Sequence, residues 1–212
     1  MKGLFSTAYF PPVSYFSAVT KCTEIALEAE ETYIKQTYRN RCIILSANGL
    51  QNLIVPIKRP EGNHSKTKII YPDYSTNWPV QHLRSLHAAY KASPYYDYYI
   101  PYFEQILLKK WDTLLALNQA VINEIMRLLK ISIPLSITTA FEKKPEQFVD
   151  FRAFYNPKKP LPFKLFSSYY QVFGEKFPFQ PDLSIIDLLF NEGPQSLIYL
   201  QNLKLPNPDK QS

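Results

Sequence analysis

The segment Leu4-Phe-Ser-Thr-Ala-Tyr-Phe-Pro-Pro-Val-Ser-Tyr-Phe-Ser-Ala-Val-Thr-Lys-Cys-Thr-Glu-Ile-Ala-Leu-Glu-Ala29 sets the architecture of the chain. Leu4 to Phe10 mixes apolar and β-prone residues and halts at Pro11-Pro12, where the ladder loses its N–H donors. Val13 to Lys21 reads as a short helix with Ser14 as its cap. Thr23 to Ala29 alternates Ile25 and Leu27 with Glu24 and Glu28, the period of a strand. Strand, short crossover, strand is a small βαβ unit, right-handed if its strands are parallel. Ligands gather beyond the carboxyl ends of such strands, which is where Tyr9 and Glu30 fall.

Working outward, Arg41–Ala47 and Leu50–Lys58 are two apolar runs joined by Asn48-Gly49, a strong hairpin signal because both turn residues tolerate positive φ. Pro56 takes the second strand out of the ladder or onto an edge. Glu61–Ser65 is a loop, and Thr67–Tyr71 is a further short strand. Asn77 caps a helix with Pro79 in its first turn, running to about Ala92 with Leu83, Leu86 and Tyr90 as the buried stripe. Tyr95–Lys130 is helical in pattern, with Asp112 as the cap of a second helix. Ile131–Thr139 is irregular or a strand. Ser184-Ile-Ile-Asp187 resembles a capping box stapled by Leu183 and Leu188, and Gly193-Pro194 ends that helix. The fold class is therefore α+β (mixed α/β): an N-terminal βαβ unit plus a β-hairpin sheet, followed by a mainly helical C-terminal half. One domain is expected over 1–212, mainly sheet over 1–76 and mainly helical over 77–212. An extended Pro/Lys-rich loop spans 143–176, pinned to the core by its phenylalanines.

Composition narrows the function. Of 212 residues 46% are hydrophobic and 20% charged, enough for a globular core. The net charge of +6 suits an anionic small molecule, but the lysines are scattered, which argues against nucleic acid. With 5 Gly against 18 Pro, glycine-rich phosphate cradles are nearly excluded. Two cysteines make no disulfide scaffold, and no apolar run is long enough for a membrane span, so a cytoplasmic protein is expected.

The densest chemistry lies in Tyr33-Ile-Lys-Gln-Thr-Tyr-Arg-Asn-Arg41. Lys35, Arg39, Asn40 and Arg41 stand at the mouth of a buried strand, where cations need an anionic partner. Either a ligand carboxylate or pyrophosphate meets them by bidentate bonds, or the internal carboxylates Glu28, Glu30 and Glu31 do. Tyr9 and Tyr33 would wall the pocket. His82, beside the apolar stripe of its helix, is the candidate general base, with Ser85 on the same helix face. Its alternative is a hydrogen-bonded packing residue. Asp150 and Arg152, two apart in an extended segment, point the same way and either pair locally or join the site. Cys42 points away from Arg41 by strand alternation and is a weak nucleophile candidate. Only three scattered histidines and no paired cysteine motif are present, so no metal site is assigned.

The ordered set Tyr9-Phe-Pro-Pro-Val-Ser-Tyr15-Phe16, Tyr33-x-Lys35-x-x-x-Arg39-Asn40-Arg41, Val55-Pro56, Trp78-x-x-x-His82-Leu83, Ala89-Tyr90 and Ser93-Pro94-Tyr95-Tyr96 resembles the WbqC-like protein family over nearly the whole chain. The ending Leu183–Pro194 resembles the form common in Bacteroidetes members. The resemblance implies a place in surface-polysaccharide (O-antigen type) gene clusters. It also implies a transferase acting on a sugar nucleotide or amino sugar, with glycyl or other (amino)acyl transfer suggested for some members. The partner would be an anionic small molecule, a nucleotide sugar or acyl donor. A homodimer is among the assemblies considered, and no cofactor is identified. A non-catalytic binding or assembly protein of the same pathway is the alternative. The chain departs from the family pattern in having Ala29-Glu30-Glu31-Thr32 where many members carry a carboxylate pair and Gln. It also has Tyr38 in place of Trp and Cys42 in place of Asn.

Overall fold

The computed structural model describes residues 1–206; the last stretch of the expected domain, 207–212, lies outside the described residues. Strand β1 (Lys2–Ser6), helix α1 (Val13–Val19) and strand β2 (Glu24–Glu28) form the βαβ unit, with β1 and β2 parallel. Two short strands complete the sheet: β7 (Leu135–Ile137) beside β2 and β8 (Val149–Asp150) beside β1. The order is β7-β2-β1-β8 and every pairing is parallel. Register places Phe5 beside Leu27 and Leu4 beside Ala26 and Asp150. Alternation therefore turns Phe5, Ile25 and Leu27 into the core and gives the other face Leu4, Ser6, Ala26, Glu28 and Asp150.

The first strand is shorter than the sequence suggests. It ends at Ser6, after which the Tyr9 N–H donates to the Tyr38 carbonyl (2.8 Å) instead of a neighbouring strand. Phe10 takes the left-handed conformation at φ 41°, which swings Pro11-Pro12 toward α1. Ser14 does not cap that helix. Pro12 occupies the position, and the Asp182 carboxylate accepts from both the Ser14 N–H and hydroxyl (2.8 Å each). A residue from the far end of the chain thus satisfies an orphan N–H of the first turn. Strand β8 falls inside the segment expected to be an extended loop. Of that segment's phenylalanines, Phe151 and Phe166 are buried, whereas Phe163 is exposed.

The hairpin is β3 (Arg41–Ser46) with β4 (Gly49–Ile54), and Ser46 faces Gly49. Its turn is thus Ala47-Asn48, one residue earlier than expected, and Gly49 alone there needs positive φ (98°). The ladder ends before Pro56. Beyond it, β5 (Ile57–Lys58) pairs with β6 (Tyr71–Pro72). Most of the strand expected over Thr67–Tyr71 is instead a 3-10 turn at Thr67–Ile69.

The helical half comprises α2 (Trp78–Tyr90), α3 (Tyr96–Leu108), α4 (Leu114–Leu128), α5 (Ile185–Glu192) and α6 (Ser196–Asn202). Thr113, not Asp112, caps α4: its hydroxyl accepts from the Ala116 N–H at 3.1 Å. Asn77 precedes α2 without a side-chain cap bond. The capping box at Ser184 does not form. The Ser184 hydroxyl donates to the Phe10 carbonyl (3.0 Å), and the Asp187 carboxylate turns to the Tyr169 hydroxyl (2.7 Å) and Gln171 Nε2 (3.0 Å). Gly193 at φ 53° ends α5, and the Tyr95 ring packs so closely that a Cβ would lie 2.6 Å from it. Among the described residues no helix is long and apolar enough to cross a membrane.

Asp187 gives the fold a pH signature. It is 1% exposed, and burial pushes its carboxyl up to about 6 despite the hydrogen bonds from Tyr169 and Gln171. A carboxyl raised on folding favours the folded state below its unfolded value, and that advantage is lost as pH rises through the folded value. Lowering the pH from 7 toward 4.5 is therefore expected to add on the order of 2 kcal/mol of stability from this group. Urea unfolding across that range checks the slope, and Asp187→Asn should reduce it, leaving the share of Asp182, which burial also pushes up to about 6. An unchanged slope in the variant would assign the effect elsewhere.

Candidate functional site

The carboxyl ends of β1, β2 and β8 bring six polar side chains into one network. From β1 comes Ser6, from β2 Glu28, from the chain just beyond β2 Glu31, and from the approach to β3 Arg39. Strand β8 contributes Asp150 and, two residues on, Arg152. The Arg39 guanidinium donates from Nε (2.9 Å) and Nη2 (2.6 Å) to Glu31 Oε1, from Nη2 to the Ser6 hydroxyl (2.6 Å) and from Nη1 to Thr37 (3.0 Å). The Ser6 hydroxyl stands within donating distance of Glu31 Oε1 (3.1 Å) and of the Arg152 carbonyl (3.0 Å). Arg152 donates to Asp150 from Nε (2.9 Å) and Nη2 (2.7 Å), and to Glu28 Oε2 from Nη1 (3.0 Å). Glu28, fully buried, also accepts from the Thr138 hydroxyl and the Glu30 N–H at 2.8 Å each.

Two hollows adjoin this network. One, of about 240 Å³, lies on the face of the sheet that carries Glu28 and is walled by Thr138, Ala140, Glu142 and Phe148. The other holds about 10 Å³, the size of one water, among Ser6, Thr7, Tyr38, Arg39, Arg152 and Tyr155. Thr7 Oγ1 and the Tyr155 hydroxyl are buried there without a hydrogen-bond partner. Phe141 packs against the Arg152 guanidinium, 5.0 Å from ring centroid to charge, so the segment over the larger hollow rests on the ion network.

The electrostatics separate the three glutamates. Burial pushes the Glu31 carboxyl up, against the opposing pull of Arg39. Glu30 goes the other way, held below the usual carboxylate range by hydrogen bonds from Lys66 (2.8 Å) and Lys68 (2.6 Å). All the bonds to Glu31 converge on Oε1, which leaves Oε2 without one among the described residues. A carboxyl raised by burial, anchored through one oxygen and open at the other, is a better proton acceptor than an ordinary carboxylate.

The residues singled out in the sequence are distributed as follows. Arg39 is buried on Glu31, and Asn40 is buried with Nδ2 on the Val55 carbonyl (2.9 Å). Arg41 is half-buried, and among the described residues it has no carboxylate partner; its Nε is buried without a bond. Lys35 is exposed. Tyr33 is buried and its phenol is pushed up to about 12 by burial, against the charges of Arg39, Arg41 and Arg59 that all reach it. Glu30 is taken by the two lysines, and Asp150 and Arg152 pair with each other. Tyr9 and His82 meet in the core rather than at the network: the Tyr9 hydroxyl lies 2.8 Å from His82 Nδ1, and the imidazole packs against both the Tyr9 and Trp78 rings, which also touch each other. Burial pushes that imidazole down to about 4, and its remaining polar contact is the Ile54 backbone. Ser85 accepts from Gln51 Nε2 at 3.1 Å. Cys42 is fully buried and its thiol is raised by burial.

Thr138 and Tyr155 escape a reading of the sequence because nothing local marks them, and Ser6 carries only a faint signal. Each gains its place only when distant strands are paired. Strand periodicity does signal Ser6: it shares a face with Leu4, an odd place for a hydroxyl unless something polar lies beyond the strand end.

Over 227 aligned residues the chain is 26% identical to an uncharacterized protein of Mycobacterium tuberculosis (strain ATCC 25618 / H37Rv), covering 94% of this chain and 96% of that protein. No solved structure matches. The model of the WbqC-like protein family matches residues 7–153, a span that opens directly after Ser6, closes directly after Arg152 and takes in β2, the hairpin, α2 to α4 and β8. By that match, the chain belongs to the WbqC-like protein family.

Proposed function

We propose that the protein is a transferase of surface-polysaccharide (O-antigen type) biosynthesis, working at the carboxyl edge of its parallel sheet on an anionic sugar nucleotide or an amino-sugar substrate. The observation that carries this reading is the convergence of Glu28, Glu31, Arg39, Asp150 and Arg152 beside a cavity, at the strand ends where open α/β sheets receive ligands. Arg41, with no carboxylate partner among the described residues, supplies the charge for a phosphate, with Tyr33, which its charge reaches, as a wall. Glu31 is the base. In glycyl or other acyl transfer the amine nitrogen bonds the donor's acyl carbon, the bond to the donor's leaving group breaks with its electron pair on that group, and the open Oε2 of the raised carboxyl takes the amine's proton and passes it to the departing group. His82, Tyr9, Ser85 and Asn40 stay outside this scheme, since their polar atoms are engaged by the core.

A second reading rests on a specific fact. Arg39 and Arg152 are already committed to internal carboxylates, as in a protein that binds or assembles without catalysis. Thermal unfolding with a panel of nucleotide sugars, followed by mass spectrometry for acyl transfer to an amino sugar, separates the two. A nucleotide sugar at 100 times its Kd should add about 2.7 kcal/mol of stability. Arg41→Ala should lose that gain, and Glu31→Gln should keep binding but lose transfer. Binding without transfer in the wild type supports the assembly reading. No stabilisation by any nucleotide sugar ends the proposal.

A further inference from the structure

A cavity of about 410 Å³ lies in the helical half and shares no lining residue with the sheet-edge hollows. Its size falls in the ligand-pocket range of about 300–1,000 Å³. Four tyrosines build one wall: Tyr95, Tyr98, Tyr99 and Tyr102, spaced three and four apart so that they share one side of α3. The opposite wall is the last turn of α4 with Arg127, and Gly193 closes the floor against the Tyr95 ring.

Three features decide what would fit. First, the rings offer flat faces to solvent. Tyr98 is 65% exposed, and its ring stands edge-on to those of Tyr99 (4.8 Å) and Tyr102 (6.5 Å). Second, the hydroxyls are available. Tyr96 of the same helix directs its hydroxyl to His87 at 3.4 Å, whereas those of Tyr95, Tyr98 and Tyr99 carry no hydrogen bond among the described residues. Third, the lining carries two cations, Arg127 and Lys130, of which Arg127 is paired. Arg127 lies over the Tyr102 ring at 4.7 Å and donates Nε and Nη2 to Glu124. The adjoining C-terminal end of α4 carries the negative pole of its helix, which disfavours a polyanion. Flat apolar faces and free hydroxyls complement a hydroxyl-rich ring.

We infer that this cavity is a carbohydrate-binding subsite, taking a pyranose against the Tyr98 and Tyr102 rings with hydrogen bonds from tyrosine hydroxyls. The inference is independent of the chemistry proposed at the sheet edge. Its failure and that of the sheet-edge reading are read by different probes at different residues.

Fluorine NMR of 3-fluorotyrosine-labelled protein tests it, with Tyr98→Phe and Tyr102→Phe assigning the signals. Maltotriose and chitotriose are the saccharide probes, and UMP is the probe for a nucleotide. Saturable shifts of the Tyr98 and Tyr102 signals by a saccharide are expected. Tyr98→Ala, which removes an exposed ring, should leave the melting temperature unchanged and weaken binding about fivefold, the size of one lost ring contact. Silence toward both saccharides, or unchanged affinity in Tyr98→Ala, overturns the inference. So does a response to UMP alone, or signals that move only with protein concentration, which would seat a second copy of the chain there.

Discussion

Arg39→Ala is expected to destabilise the protein by about 3–5 kcal/mol, the loss typical of a buried ion pair stripped of one partner. Arg39 is 3% exposed and Glu31 8%, so little water reaches the carboxylate left behind. The guanidinium also bonds Ser6 and Thr37, and its removal frees their hydroxyls as well. Without Arg39 the Glu31 carboxyl, already raised by burial, rises further. A carboxyl raised on folding regains stability as pH falls, so the deficit should be smaller at pH 5 than at pH 8. The double variant Arg39→Met with Glu31→Met should recover most of the loss, because well-packed apolar residues often replace a buried pair at no net cost. Urea unfolding of the single and double variants at both pH values measures all of this. A single-variant loss under about 1 kcal/mol would mean that solvent replaces the guanidinium, as at an exposed pair. Its main role would then lie outside the fold.

Phe190→Ala is the second large effect, about 3–5 kcal/mol for a buried ring cut to a methyl. Phe190 is fully buried on α5, with ring centroids 5.2 Å from Tyr90, 5.2 Å from Tyr96 and 6.1 Å from Phe103. It therefore ties α5 to α2 and α3 at once. The Tyr95 N–H donates to its backbone carbonyl (3.0 Å), so the link between α2 and α3 also leans on α5. The family match ends at residue 153, short of α5, yet α5 fills the same core. Denaturant unfolding of Phe190→Ala should show one cooperative transition at lower urea. A second, separate transition, or a loss under about 1 kcal/mol, would mean that α5 is a detachable annex and not part of the domain.

The fold was legible where periodicity runs long enough to be read. Ile25 and Leu27 alternating with Glu24 and Glu28 marked β2, and Leu114, Leu117, Val121 and Ile125 at three and four marked α4. Strand β8 was not legible, since two residues have no period, and Val149–Asp150 is a strand only because β1 offers it an edge. The caps failed for a related reason. Asp187 and Ser184 have the right local spacing for a capping box, but Tyr169, Gln171 and the Phe10 carbonyl compete for them and win. The polar cluster shows the same limit. Glu28, Glu30 and Glu31 are near neighbours in sequence and equal candidates to meet Arg39. What divides them is distant: Arg152, 124 residues beyond Glu28, and Lys66, 36 beyond Glu30. A cation-rich segment announces that anions are near, while its own sequence carries no record of which anion each side chain receives.

The placement of β1 bears on how the chain reaches this state in a cell. Its near neighbour β2 is made almost at once, but its other edge waits for β8, and Ser6 and Arg152 are 146 residues apart. At roughly 5–20 residues per second, a ribosome needs about 7–30 s to deliver the second partner. Throughout that interval a nascent β1–β2 pair presents an unpaired strand edge and half of a charged network, both open to the wrong neighbours. Synthesis speed and chaperone access, more than final stability, would then govern the yield of active protein.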